Sequence, residues 1–337
     1  MDFDLSDDQV ALRDGARELL DGLASPARVR AHTGTEAGYD AALWAAMVDQ
    51  GWLGIEVPPE RGGVGLGSVE VAVLCEELGR HAAPAPFVPA VLAIDAFNEA
   101  GESEWVDRLL AGAALACVAW DPRAPVAYAP SADVAVVLLD DGVYAMDLPE
   151  RPRRQPAMDI TRELGWLAFD PARARRLGGT DARERLLDRG AAFTAADLLG
   201  SASYALELAV EHAKDRVQFG RPIGSFQAVK HRCADMLVDV EGMRSTVYWA
   251  AWCIGAGDPE AHVAASTAKT WCSDASKRVM SSALQVHGGI GFTWEHDLHF
   301  FMKRAQLDQL TFGDAAYHRA RLTSLLRPRV EAGESVV

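Results

Sequence analysis

A mostly α-helical chain, with one small β region in the middle, is what the sequence predicts. Three observations carry that expectation. Apolar residues recur at helical spacing over long stretches at both ends. A compact alternating segment, VAVVLLDDGVYAMDL (134–148), has the apolar–Asp-Asp-Gly–apolar form of a β-hairpin. And 337 residues are more than one ordinary core, so two or three packed units are expected.

The first helix is written in DLSDDQVALRDGARELLDGL. Val10, Leu12, Ala16, Leu19 and Leu20 share a face, Ser6 is a suitable N-cap, and Asp7 and Asp8 favour the first turn. Helical character continues to about Asn98, interrupted by the loop VPPERGGVGLGS from Val57 to Ser68. The next helix, VEVAVLCEELGRHAAP, is expected to be closed by Gly79 and Pro84. In the β region, LACVAW before the hairpin and ELGWLAF after it offer additional strands. This region, Leu115 to Asp170, is too short for a barrel or a full sandwich. From Asp181 to Arg327 the chain reads as helix again. In LLGSASYALELAVEHAKDRVQF the residues Leu199, Ala202, Leu206, Ala209, Val210 and Ala213 fall on one face. FQAVKHRCADMLVDVEGMRSTVYWAAWCI is a long amphipathic helix. HVAASTAKTWCSDASKRVMSSALQVHG is a third, ending at Gly288, and a last helix follows Gly313. Long helices joined by short connections indicate a C-terminal bundle. The domain division expected is 1–112 helical, 113–178 a shortened β domain, and 179–330 the helical bundle.

Charge narrows the function. A net charge of −15 opposes binding to nucleic acid and to anionic membrane surfaces, which need clustered cations. No apolar run reaches membrane-spanning length. The acidic start, MDFDLSDDQV, lacks the features of a signal peptide, so a cytoplasmic location is expected. The five cysteines (Cys75, Cys117, Cys233, Cys253, Cys272) show no metal spacing and read as reduced thiols. His287, His296 and His299 are close in sequence but lack a metal-ligand pattern, and Trp294–Asp297 reads as a polar loop. RGGVGLG (61–67) follows no strand of a βαβ unit and carries no Gly-Lys-Ser/Thr, so it is a flexible loop rather than a nucleotide fingerprint. HGGIGF (287–292) follows a helix. Three glycines in four residues serve either a tight turn or close approach of the backbone to a ligand. The segment RVQFGRPIGSFQAVKHRCADM (216–236) sets an Arg, a Phe and two Gln in what is otherwise a turn between helices.

Taken together, DFDLSDDQVALRDGARELL, GWLGIEVPPERGGVGLGSVEVAVLCEELGR, RVQFGRPIGSFQAVKHRCADM and QVHGGIGFTWEHDL resemble the acyl-CoA dehydrogenase family of flavoproteins, over nearly the whole chain and in the family's order. The resemblance implies FAD bound across a subunit interface, with the diphosphate end held by the C-terminal helices. By position it assigns Arg216, Gln218, Phe219 and Gln227 to the first FAD segment and Gln285, Gly288 and Gly289 to the second. The chemistry is compatible: a guanidinium suits diphosphate oxygens, Gln can donate and accept, and glycine lets backbone N–H groups approach an anion.

The sequence departs from the family in three places. The family's catalytic base is a Glu before a Gly near the C-terminus, and that position here is Phe312, in LTFGDAAYH; a Phe cannot take a proton from an acyl-CoA. The alternative base position, counted back from Arg216, is Gly190 in LLDRGAAF. Asp314 and, more remotely, Glu241 are the acids left. The middle domain also lacks the family's Thr-Glu-Pro and Trp-x-Thr/Ser segments. The chain therefore resembles the short, base-lacking subunit of actinobacterial α2β2 steroid side-chain acyl-CoA dehydrogenases. That resemblance implies a larger partner subunit carrying the Glu, an acyl-CoA substrate and an electron-transfer flavoprotein as acceptor. Two other readings stay open at this point: a homo-oligomeric dehydrogenase with Asp314 or another acid as base, and an inactive flavin- or acyl-CoA-binding scaffold.

Overall fold

The computed structural model describes residues 4–335; the first three residues of the acidic start lie outside them. Helix α1 (Asp7–Leu23) opens with a reciprocal capping box. The Gln9 N–H donates to Ser6 Oγ at 3.3 Å and the Ser6 N–H donates to Gln9 Oε1 at 3.0 Å. Helices α2 (Pro26–Thr33) and α3 (Ala41–Asp49) follow. The carboxylate of Asp40 caps α3 by accepting from Ala42 and Leu43 N–H, each at 3.0 Å. Then come α4 (Ser68–Arg80), α5 (Phe87–Ala100) and α6 (Ser103–Leu110).

The middle of the chain is strands: β1 (Ala116–Ala119), β2 (Val126–Ala127), β3 (Val134–Leu139), β4 (Gly142–Asp147), β5 (Arg154–Gln155), β6 (Leu164–Gly165) and β7 (Arg175–Gly178). β3 and β4 are the expected hairpin, paired antiparallel from Val134↔Asp147 to Leu139↔Gly142 around Asp140-Asp141. β1 joins parallel to β3 and β7 antiparallel to β4, giving the order β1-β3-β4-β7. One face of this sheet buries Cys117, Ala135, Val137 and Met146 with Val126 and Leu167. Of ELGWLAF, only Leu164–Gly165 is strand, and it joins a separate sheet with β2 and β5. Trp166, just after it, is exposed, so nothing extends the pairing. β7 has no apolar signature because it is an edge strand whose side chains are satisfied by charge. Arg175 meets Glu102 at 2.9 Å and Asp147 at 2.7 Å, and Arg176 donates to the Asp141 carbonyl.

The C-terminal part runs α7 (Thr180–Asp215), a two-stranded hairpin of β8 (Val217–Gln218) and β9 (Arg221–Pro222), α8 (Gln227–Ala256), α9 (Ala261–His287), α10 (Leu298–Leu310) and α11 (Ala315–Ala332). Gly288 ends α9 as expected, with a positive φ of 63°. α10 is a helix of its own that the sequence reading did not mark.

The residues divide into two compact units, one of residues 14–71 and 83–190, the other of residues 1–13, 72–82 and 191–337. The first holds the sheet and a buried charge cluster in which Arg189 pairs with Glu56 and lies 3.7 Å from Asp95. The second holds the helical bundle. There the expectation that Gly79 closes α4 is corrected, since the helix runs through it to Arg80. Gly79 and Gly200 sit where α4 and α7 cross with their backbones touching. A Cβ on Gly79 would stand 2.1 Å from the Asp197 carbonyl oxygen, and one on Gly200 would stand 1.8 Å from that of Glu76. Ser201 Oγ donates to the Gly79 carbonyl at 3.0 Å across the same crossing. Glycine is needed there for proximity, not for a turn. Glu76, one turn earlier on α4, accepts from Arg244 at 2.6 Å and Tyr248 at 2.7 Å on α8. Among the described residues no cysteine forms a disulfide, four of the five are buried, and no helix is long and apolar enough to cross a membrane.

Candidate functional site

The α7–α8 connection is a device rather than a plain link. α7 ends at Asp215, and the chain turns over at Phe219-Gly220, whose φ angles of 54° and 79° make the two-residue turn that matches strand twist. A non-glycine residue at positive φ is uncommon, and here it carries a Phe ring that is 92% exposed. It meets Phe226 edge-on at 6.1 Å, over whose ring Arg221 also lies at 4.1 Å. The hairpin is tied back by Arg216 N–H to the His212 carbonyl (2.9 Å) and Ile223 N–H to the Arg216 carbonyl (2.8 Å). Arg216 and Gln218 are exposed, Gln218 donating to the carbonyl of Val217. Gln227 is exposed at the first turn of α8, whose N-cap, Phe226, offers no side-chain oxygen.

The second segment lies at the far end of α9. Gln285 is exposed on the last turn. The glycines of HGGIGF do separate jobs. Gly288 has φ 63° and ψ −139°, a conformation that only glycine holds comfortably. Gly291 packs against Leu284 and His287, where a Cβ would be 3.0 Å from the His287 Cβ. Gly289 is exposed with open space where a Cβ would stand, so its backbone is approachable. Beside it Ile290, Phe292 and Trp294 are exposed.

The two segments meet. His212, in the last turn of α7, stacks on His287, in the last turn of α9, with ring centroids 4.7 Å apart and planes 27° apart. His287 is buried, and its Nδ1–H donates to the Ala283 carbonyl at 2.8 Å. His296 abuts it edge-on at 4.4 Å. Burial holds the His287 imidazole below its ordinary range. It does the same for His212, where His287 and Arg216 add to the depression. The sequence reading considered His287 only as a metal ligand and did not weigh His212. The signal available was position: each histidine stands within four residues of an assigned flavin residue.

The position that the resemblance assigns to the base is a packed corner. Phe312 is 3% exposed at φ 57°, followed by Gly313 at φ 93°. Its carbonyl accepts from His318 Nε2–H at 2.8 Å. The fully buried Lys269 Nζ donates to the carbonyls of Asp308 (2.7 Å) and Gln309 (3.2 Å), closing the C-terminal end of α10 just before the corner. Burial lowers its pKa to about 7. Asp314 is the N-cap of α11, its Oδ1 accepting from the Tyr317 N–H at 2.8 Å. Asp314→Ala is therefore expected to cost about 1 kcal/mol of stability, a capping loss, read as a lower melting temperature. Glu241 is exposed on α8 beside Arg244, at 3.6 Å. Gly190 is buried in α7 and brings no side chain.

Residues 6–115 match the acyl-CoA dehydrogenase N-terminal domain and residues 178–325 the acyl-CoA dehydrogenase C-terminal domain. The chain is 37% identical to acyl-CoA dehydrogenase IpdE2 of Mycolicibacterium smegmatis, over 89% of this chain and 93% of that protein. Among solved structures it resembles a chain of the ChsE4–ChsE5 complex of Mycobacterium tuberculosis, at 28% identity and TM-score 0.86, covering both chains in full. It also resembles the Tcur3481–Tcur3483 steroid ACAD, at 30% identity and TM-score 0.86, over 96% of this chain and 99% of that one.

Proposed function

We propose, from the premise that this chain belongs to the acyl-CoA dehydrogenase family of FAD-dependent oxidoreductases, that it is the smaller subunit of a heteromeric enzyme that dehydrogenates a steroid side-chain acyl-CoA. One observation carries the reading. The segments assigned to the cofactor's diphosphate end are exposed, while the position assigned to the base holds a buried Phe312 and the nearest acid, Asp314, is used as a helix cap.

The residues present fit the diphosphate half of FAD. Gly289 leaves an approachable backbone face, the positive-φ turn holds the Phe219 ring outward, and Arg216 adds a cation nearby. Arg216 would hold the diphosphate, Gln218, Gln227 and Gln285 would supply donors and acceptors, and Gly288-Gly289 would offer backbone N–H groups. Phe219 would cover a flat face and exclude water. FAD held there would supply the hydride acceptor for the bond broken at the substrate's Cβ. This chain moves no proton in that step; the larger subunit brings the carboxylate that takes the Cα proton, so the cofactor is shared across their interface. An electron-transfer flavoprotein is the acceptor in this scheme, and the assembly is cytoplasmic. The steroid assignment is supported by the likeness to the Tcur3481–Tcur3483 steroid ACAD and the two-subunit assembly by the ChsE4–ChsE5 complex. The three-part division at 112/113 and 178/179 belongs to the same proposal, with residues 179–330 as the interface-forming part.

The test is to purify the chain alone and together with a co-expressed full-length homologue that retains the Glu. The lone chain is expected to carry no stoichiometric flavin absorbance and to turn over no acyl-CoA, whereas the pair carries FAD and does. Asp314→Ala in the pair is expected to leave kcat within about twofold, because a capping loss does not touch the reacting atoms. A lone chain that carries full flavin and oxidises acyl-CoA overturns the proposal. A pair that binds FAD but never reduces it favours an inactive scaffold.

A further inference from the structure

We propose that the stacked imidazoles of His212 and His287 are a positioning pair that locks the Arg216 hairpin to the Gly288–Gly289 turn and holds them together only while both rings are neutral. Its purpose, though not its geometry, rests on the flavin reading above.

The contact joins residues 75 positions apart in sequence, 4.7 Å apart at their ring centroids, and it sits at the root of both turns. Arg216 N–H bonds the carbonyl of His212 itself (2.9 Å), and the Gly288 N–H bonds the Leu284 carbonyl one turn below. A shift of either ring thus moves the backbone of the turn it roots. The groups that face the pair make protonation costly. His287 Nδ1 already donates to Ala283, and its Nε2 is buried with no hydrogen-bond partner, so a second proton would be an unpaired buried donor. His296 lies 4.4 Å away on the other side, and its Nδ1 accepts from the Leu298 N–H at 3.1 Å. Arg216 bears on His212 with like charge, and the Asp215 carboxylate is the only opposing group acting on that ring. A charge on either imidazole would face a second ring across van der Waals distance in a mostly desolvated site. Both rings are held neutral near pH 7 by burial. The stack is complete above the ordinary histidine range and is lost as pH falls through the lowered values.

The experiment is hydrogen–deuterium exchange on the full chain at about pH 7.5 and about pH 5.5, corrected for intrinsic exchange, for wild type, His212→Phe and His212→Ala. In wild type, peptides covering 216–226 and 288–296 are expected to lose protection together at the lower pH, by about fivefold or more, while α8 and α9 do not. His212→Phe keeps a ring in the stack and removes one of its two titrating groups; it is expected to protect both segments at the higher pH and to lose clearly less protection than wild type at the lower. His212→Ala is expected to expose both segments already at the higher pH. Independent responses of the two segments, or a Phe variant that tracks wild type, overturn the pairing. FAD titration of the co-expressed complex separates this from the flavin reading. Coupled exchange without FAD binding keeps the pair and removes the reading; FAD binding without coupled exchange does the reverse.

Discussion

Arg304→Ala is expected to destabilise the bundle by about 3–5 kcal/mol, the loss seen when one partner of a buried ion pair is removed. Arg304 on α10 grips Asp197 on α7 with two parallel bonds, Nε to Oδ1 at 2.8 Å and Nη2 to Oδ2 at 2.6 Å. Their side chains are 3% and 6% exposed. Truncation removes the guanidinium from a desolvated Asp197 carboxylate, which costs far more than the pair itself contributes. At about 2–4 °C per kcal/mol for a chain of this size class, the melting temperature should fall by roughly 6 °C or more. The control is the double variant Asp197→Leu with Arg304→Met, which removes both charges and is expected to recover most of the loss. If the single variant melts within about 1 kcal/mol of wild type, the pair is not the keystone its geometry indicates. The consequence reaches the site, because α7 carries His212 in its last turn.

How much of this could be read from sequence follows from how local each feature is. The capping box at Ser6 and Gln9, the Asp140-Asp141 turn and the end of α9 at Gly288 are decided within a few residues, and the periodicity reading finds them. β7 escapes because Arg175 and Arg176 are satisfied by Glu102, Asp147 and Asp141, residues that are distant in sequence. Gly79 misleads for the same reason: in sequence it looks like a stop, while in space it makes room for α7. The segments proposed to hold flavin are visible as motifs because turn chemistry needs fixed residue types at fixed spacing. What joins them, the His212–His287 stack, is a contact between helix ends that no local pattern encodes. The proposed loss of the base is legible as Phe312 where the resemblance expects a Glu. That Asp314 caps α11 is visible only in the backbone it bonds.

The corner that stands where the family has its base predicts an acid sensitivity. His318 is buried and neutral. Its Nε2–H donates to the Phe312 carbonyl, while Nδ1 has no partner. Burial is the largest cause that pushes its pKa down, from 6.5 to about 4; the bond to Phe312 opposes the shift, and Lys269 and Arg321 add to it. Between those two values the unfolded chain takes up a proton that the folded chain refuses. Stability from this group is therefore complete above about pH 6.5 and is lost as pH falls through about 4. The full loss is about 3 kcal/mol. His318→Gln preserves an N–H donor for Phe312 without a titrating ring. Urea unfolding of the two proteins at matched pH is expected to show the variant weaker near neutrality, with the gap closing by about 3 kcal/mol on approach to pH 4. A gap that does not change with pH would mean that His318 is not held neutral by the fold. A closing gap shows that the Phe312 corner is an apolar, proton-refusing joint, stabilised by excluding charge. A general base needs the opposite, a carboxylate that stays ionised within reach of substrate. On the reading proposed above, the packing that makes this chain acid-sensitive also keeps it out of the proton-transfer half of the reaction and leaves it the flavin-holding half.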